Sequence, residues 1–250
     1  MSRKRKNTAK NKKDLRWLLL CFILGSCALA FILSLPLFKI RDVVVNGTKM
    51  LSSEDIKAIS GIPLSENLFY TSFSKAKANL SKISAIKEFK FYRIPPGTVL
   101  INIVERRPVA VLVFSTRSIF IDAQGFVLNP ETNIALNVPE ISELPVISGM
   151  NENSAFRGNR IDPVVAEVVA DIVLKLSPYL SLKSMRLELG QFKEIQFMLD
   201  DILKVKVGTN LNIKKKMQVF QAILPKISGK WTQVEYVDMR YPDFPVVKFK

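Results

Sequence analysis

Apolar positions along the chain fall into three spacings, and each predicts a different kind of element. Residues 17 to 38, WLLLCFILGSCALAFILSLPLF, run for 22 positions without a charge. About 20 apolar residues at 1.5 Å rise cross a hydrocarbon core of roughly 30 Å, so this run predicts one membrane-spanning helix. A second spacing has period two. Phe89 and Phe91 alternate with Glu88 and Lys90 across Ile86 to Tyr92. Val99, Ile101 and Ile103 alternate with Leu100, Asn102 and Val104 across Thr98 to Arg106. Both read as half-buried strands, with Pro95-Pro96-Gly97 turning the chain between them. The third spacing, of three and four residues, marks helices with one apolar face. It joins Ile56 to Ile59, then Phe73, Ala76, Leu80 and Ile83. Farther on it joins Val164, Val165, Val168, Val169, Ile172, Val173 and Leu176, and finally Met217, Phe220 and Leu224.

Local stop and start signals bound these elements. Ser52 precedes Ser53-Glu54-Asp55 as an N-cap with acids in the first turn, and Gly61 suits a left-handed stop. Ser72 is placed to cap the second helix. Asp162-Pro163 opens the third with a cap and a proline at the first helical position, and Ser177-Pro178 closes it. Asn212 is placed to cap a fourth, which Pro225 is expected to end. The run Ile40 to Val45 with its Asn46-Gly47 turn adds a strand, so residues 39 to 108 read as strand, helix, helix, strand, strand. Two helices packed on one face of a small sheet give a two-layer α+β domain. Lys75, Lys77, Lys82, Glu167, Asp171, Lys175 and the triplet Lys214 to Lys216 fall on expected solvent faces. Asp200-Asp201 reads as the tip of a hairpin between Phe197 and Val205 rather than a metal site.

Charge gives the membrane segment a direction. The net charge is +15, of which the first sixteen residues supply +7, eight Lys or Arg minus Asp14. Arg3, Lys4, Arg5, Lys6, Lys10, Lys12, Lys13 and Arg16 resist translocation, so the tail (1–16) is expected in the cytoplasm and residues 39 to 250 outside. Attraction of these cations to anionic headgroups adds about 1 kcal/mol each. No aromatic residues interleave with them, which argues against nucleic acid. Two processing signals stand as alternatives to an uncleaved anchor. Ala28-Leu29-Ala30 has the form of a signal-peptidase site, and Leu24-Gly25-Ser26-Cys27 has that of a lipoprotein box.

The chain has no histidine, and its two cysteines, Cys21 and Cys27, lie inside the apolar run. The region beyond it therefore cannot form an internal disulfide, a Cys/His zinc site, a Cys-His pair or a Ser-His-Asp triad. No Gly-rich nucleophile turn or phosphate loop is present either. The expectation is a binding protein with no cofactor and no catalysis.

The segments IRDVVVNGTKMLSSEDI, LFYTSF and the hairpin ending in Glu105-Arg106-Arg107-Pro108-Val109-Ala110 together resemble a POTRA domain of the FtsQ/DivIB cell-division family. The resemblance continues through Ile119 to Leu128 with Gly125 at its turn, Leu144 to Gly149, Val205 to Gly208 and Val237 to Tyr241. It implies a POTRA domain at 39–108 and a mostly antiparallel β-rich domain with helices at 109–250, behind a single span at 17–38. It also implies a divisome scaffold at the septum, on the outer face of the cytoplasmic membrane, that helps control septal peptidoglycan synthesis. Independently of the resemblance, Val246, Val247, Lys248 and Phe249 read as a strand that can accept a partner's strand if it lies at a sheet edge. The resemblance implies that this strand and Arg240-Tyr241 bind FtsB, of an FtsB/FtsL coiled-coil pair. Pro242-Asp243-Phe244-Pro245 departs from the family's Gly-containing turn, and Phe249 can stand for its aromatic. The alternative is a POTRA-bearing outer-membrane assembly or secretion factor, which requires tandem POTRA units or a barrel.

Overall fold

The computed structural model of the chain describes residues 5–128, 136–138, 143–176 and 184–250. Arg3 and Lys4 of the basic tail and the Ser177-Pro178 helix stop lie outside the described residues. The first helix, α1 (Arg5–Ser34), contains an apolar stretch, Arg16–Ser34, long enough to cross a membrane. It stops four residues before Phe38. Leu35 is extended, and Pro36 opens a separate 3-10 turn, Pro36–Phe38. Proline lacks the N–H that the helix would need and disfavours helical geometry in the residue before it.

A three-stranded sheet follows, built from β1 (Asp42–Asn46), β2 (Ile86–Ile94) and β3 (Thr98–Glu105) in the order β1-β3-β2. β3 runs parallel to β1 and antiparallel to β2. Helices α2 (Ser53–Ser60) and α3 (Ser74–Leu80) cover one face, where Ile56, Ala76 and Leu80 meet Val99, Ile101 and Ile103 in a common core. Ser52 caps α2 by accepting from the Asp55 N–H, and Gly61 ends it at φ 60°. Ser72 does not sit at the cap of α3. That position belongs to Phe73, which is buried against Phe91 with ring centroids 5.2 Å apart and lies under the Arg93 guanidinium. The Ser72 hydroxyl, one residue earlier, accepts from the Ser74 N–H at 3.4 Å. Gly47, at φ 89°, lies so close to β3 that a Cβ would fall 2.1 Å from the Ile103 carbonyl oxygen.

The second sheet has eight strands. Its members are β4 (Pro108–Val113), β5 (Ser118–Asp122), β6 (Val146–Ser148), β9 (Met185–Glu188), β10 (Ile195–Leu199), β11 (Leu203–Gly208), β12 (Val234–Asp238) and β13 (Val246–Phe249). A two-residue hairpin, β7 (Phe156–Arg157) and β8 (Arg160–Ile161), stands apart beyond the short helix α4 (Glu152–Ala155). The order is β13-β12-β11-β10-β9-β6-β4-β5. Four of its seven pairings are antiparallel and three, β4 with β6, β6 with β9 and β11 with β12, are parallel. Helices α5 (Pro163–Val169) and α6 (Ile213–Ile227) join its buried residues in one core. Asp200 and Asp201, both at positive φ, turn β10 into β11. Left-handed geometry at both central residues suits a tight hairpin.

Five readings of the helices need correction. Val164 is exposed, whereas Val165, Val168, Val169, Ile172, Val173 and Leu176 are buried as their spacing predicts. Asp171 is buried rather than solvated, and it pairs with Lys175. Asp171 lies in a π-helical turn, Ala170–Leu174, which continues α5. In α6, Asn212 occupies the cap position with left-handed φ and makes no side-chain cap, and Pro225 lies inside the helix rather than ending it. Burial of Leu224 and Ile227 offsets the roughly 3 kcal/mol that an interior proline costs. Lys216, expected in solvent, is 3 % exposed. Its Nζ donates to the carbonyls of Val207 and Thr209, both at 2.8 Å, at the end of β11.

Both sheets meet through adjacent residues of opposite charge. Glu105, the last residue of β3, accepts from the N–H groups of Lys49 at 3.0 Å, Met50 at 2.9 Å and Leu51 at 2.9 Å. Arg106 faces the other way, 2.8 Å from the Asp122 carboxylate at the end of β5 and 3.6 Å over the Phe126 ring. Val111 and Phe120 of the larger sheet and Leu128 just beyond β5 complete the core of the smaller one.

Two stability predictions follow from these contacts. Glu105→Ala leaves three amides without their acceptor and is expected to lower unfolding free energy by about 1–3 kcal/mol, read as a lower denaturant midpoint at unchanged slope. Desolvation holds the Lys216 ammonium below its ordinary range. The unfolded chain then binds that proton more tightly, so this group makes stability rise with pH between the lowered value and about 10.4. Lys216→Met is expected to flatten that alkaline rise and to cost about 1–3 kcal/mol at neutral pH, measured by melts across pH.

Candidate partner-binding edge

β13 occupies the end of the eight-stranded sheet, and among the described residues nothing pairs with its outer side. Its inner side bonds to β12 in antiparallel register, with Val246 opposite Asp238, Val247 opposite Val237 and Lys248 opposite Tyr236. The Lys250 N–H donates to the Gln233 carbonyl at 2.9 Å. Backbone groups alternate in direction along a strand, so Lys248 and Val246 also face β12 and the N–H and C=O groups of Val247 and Phe249 face outward. A row of free donors and acceptors lines this edge.

Side chains around the edge divide by role. Val247 is half-buried and packs on the core, whereas Val246 and Phe249 are each about half exposed. Lys248 pairs with Glu235 at 2.7 Å, which raises its pKa. Arg240 follows β12 and folds back on Asp238, with Nε 3.0 Å from both carboxylate oxygens and Nη2 2.6 Å from one. These bonds hold the Asp238 carboxyl below its ordinary range and raise the guanidinium in turn. Tyr241 comes next, 73 % exposed, and Phe244 is 82 % exposed. The Phe244 N–H donates to the Tyr241 carbonyl, and Asp243 pairs with Lys215 of α6, so this turn is fastened to the domain while its aromatic rings point outward.

Tyr241 and Arg240 also border an open cleft of about 440 Å³ shared with Lys193, Gln196, Lys206 and Gly208. Gly208 has φ 76°, and a Cβ there would meet Arg240 Cγ at 3.0 Å, so glycine both permits the turn and gives the arginine its place. Lys206 lies 3.9 Å from the Tyr236 ring centroid, with Lys248 on the same ring at 5.5 Å. Lys216 holds the carbonyls of Val207 and Thr209 from beneath.

Thus Val246, Val247, Lys248 and Phe249 form the edge strand itself, while Arg240 and Tyr241 follow the neighbouring β12 and border the cleft. Arg5, Lys6, Lys10, Lys12, Lys13 and Arg16 lie on α1. Sequence reasoning missed Asp238, Tyr236, Gly208, Lys206 and Phe244. Asp238 had a usable signal, since it shares a strand face with Arg240 two residues on. Phe244 had one as a large apolar residue inside a Pro-Asp-x-Pro turn. Among the described residues, no group of three or more Asp, Glu or Cys is placed to hold a metal ion.

Comparison with known proteins agrees with this architecture. A family model described as POTRA domain, FtsQ-type, matches residues 38–106. One described as Cell division protein FtsQ/DivIB, C-terminal, matches residues 111–240, ending on the first residue of the Arg240-Tyr241 step. Cell division protein DivIB of Clostridium botulinum (strain Hall) is 26 % identical over 244 residues, covering 95 % of this chain and 92 % of that protein. Cell division protein FtsQ of Geotalea daltonii is 24 % identical over 220 residues, covering 84 % and 76 %. Cell division protein DivIB of Staphylococcus aureus (strain MRSA252) is 22 % identical over 208 residues, covering 82 % and 44 %. With a single POTRA unit joined to that C-terminal domain, the chain belongs to the FtsQ/DivIB family of cell-division proteins and has a divisome role.

Proposed function

We propose that this protein is a non-catalytic scaffold of the divisome. It is anchored once in the cytoplasmic membrane by the apolar run within 17–38, with the basic tail 1–16 inside the cell. The POTRA domain (39–108) and the β domain (109–250) lie outside, at the septum, where the protein helps control peptidoglycan synthesis. Its β13 edge accepts a strand from a bitopic coiled-coil partner of the FtsB/FtsL kind. Arg240 and Tyr241 flank that strand, and the basic tail sets the topology. One observation carries this reading: β13 presents outward-facing amides at the end of a sheet, with Val246 and Phe249 exposed along it. Strand addition takes affinity from backbone bonds and selectivity from alternate side chains. Arg240 remains a rim group, because Asp238 already satisfies its guanidinium.

Backbone geometry supplies a discriminating test. Proline is tolerated where a strand's N–H faces away from its neighbour and not where it faces inward. Val247→Pro is therefore expected to fold yet weaken partner binding about fivefold or more, since one hydrogen bond is worth about 1 kcal/mol. Lys248→Pro is expected to lower the melting temperature instead. Equal binding by wild type and Val247→Pro in a titration with an FtsB-type peptide would remove strand addition as the mode. In living cells, a photocrosslinking residue at Val246 is expected to capture a small bitopic coiled-coil protein, and Tyr241→Ala to abolish the capture. Capture of β-barrel proteins instead would favour the assembly-factor reading.

A further inference from the structure

A helix that ends at a membrane surface leaves carbonyl groups without partners, and in a lipid environment each costs several kcal/mol. Three of the last four carbonyls of α1, those of Phe31, Ile32 and Leu33, accept such bonds, and Ala30 O just inside them accepts another. Phe31 O accepts from the Ser34 hydroxyl at 2.7 Å and Ile32 O from the Leu35 N–H at 3.2 Å. The next two bonds come from the POTRA domain. Asn67 Nδ2 donates to Leu33 O at 2.8 Å, and the Tyr70 hydroxyl donates to Ala30 O at 3.2 Å. Ala30 lies four residues inside the outer end of the apolar stretch, about 6 Å along the axis. A side chain that reaches it extends below the level where the apolar stretch ends.

The turn that carries these side chains is held firmly. Asn67 Oδ1 accepts from the Phe69 and Tyr70 N–H groups at 2.9 and 3.3 Å, so one side chain both shapes the turn and caps the helix. Arg93 donates to Leu68 O and Thr71 O at 2.7 and 2.8 Å. Lys39 bridges to Asn67, and the Phe38 and Phe69 rings meet edge to face at 5.2 Å. Tyr70 nonetheless remains 60 % exposed and Leu37 52 % exposed, next to exposed Lys39 and Arg41. An amphipathic ring, an aliphatic side chain and cations just beyond a spanning helix match the headgroup layer of a bilayer.

We propose that the Asn67–Tyr70 turn seats the POTRA domain on the outer lipid surface, with the Tyr70 ring in the headgroup layer and Asn67 capping the membrane helix. This rests on the single-span reading above. The domain is thereby fixed to its anchor at a set height rather than tethered by a free linker.

Depth-resolved quenching tests both statements separately. The chain has two tryptophans, Trp17 and Trp231. Full-length protein carrying Trp17→Phe and Trp231→Phe, with Tyr70→Trp, is reconstituted in phosphatidylcholine and phosphatidylglycerol vesicles whose acyl chains are brominated near the headgroup or near the bilayer centre. Emission from position 70 is expected to shift to the blue and to be quenched more by the shallow bromine than by the deep one. In the same background, Leu24→Trp without the Tyr70 change is expected to show the reverse preference. Water-like, unquenched emission at position 70 with deep quenching at position 24 would overturn the seat and leave the span standing. Loss of quenching at both positions would overturn the span and the seat with it.

Discussion

The peptide bond between Glu105 and Arg106 divides the molecule, and the placing of everything else depends on it. Neighbouring residues on an extended chain point in opposite directions. Glu105 uses that geometry to gather three amides of the first domain, and Arg106 uses it to reach a carboxylate and a ring of the second. Neither contact requires a linker, and a linker would undo both. With Val111, Phe120 and Leu128 sharing the first domain's core, the larger sheet grows out of the smaller one as a fixed extension. The position of β13, seven strands from β5, is inherited through that joint.

What could be read from the sequence follows from how local each cause is. Ser52, Gly61 and Asp162-Pro163 act on amides within a few residues of themselves, so their roles are visible in order along the chain. The alternation in β2 and β3 is equally local, and it identifies the buried face of the first sheet correctly. Burial of Asp171 and Lys216 depends on events elsewhere. The first lies in a π-turn and pairs with Lys175, and two carbonyls of the preceding strand and loop draw in the second. Nothing in a run of three lysines marks the middle of a helix face from the inside. The capping role of Glu105 spans more than fifty residues, so no spacing rule could expose it. At the open end of the larger sheet the sequence marked the strand Val246–Phe249. It did not reveal that Asp238 already engages Arg240, or that Gly208 leaves room for it.

Together these features describe a protein whose two domains and membrane helix are joined by specific contacts. The membrane-side end is a turn braced by Arg93 and capped onto α1. At the far end, a short strand has its inner face bonded and its outer face open. Between them the two cores contain few charged groups, each with a partner in hand. That arrangement suits a scaffold, because a partner held at one end is held at a definite place relative to the other.

An open sheet edge is also a hazard, since a copy of the same chain is the nearest strand available to it. β13 is a poor template for itself. It spans only four residues, and Pro245 immediately before it offers no N–H to extend a ladder. Two such edges meeting antiparallel would bring lysines at position 248 into the same small patch, where like charges oppose pairing. An edge this short, opened by a proline and carrying a lysine, resists pairing with a second copy of itself.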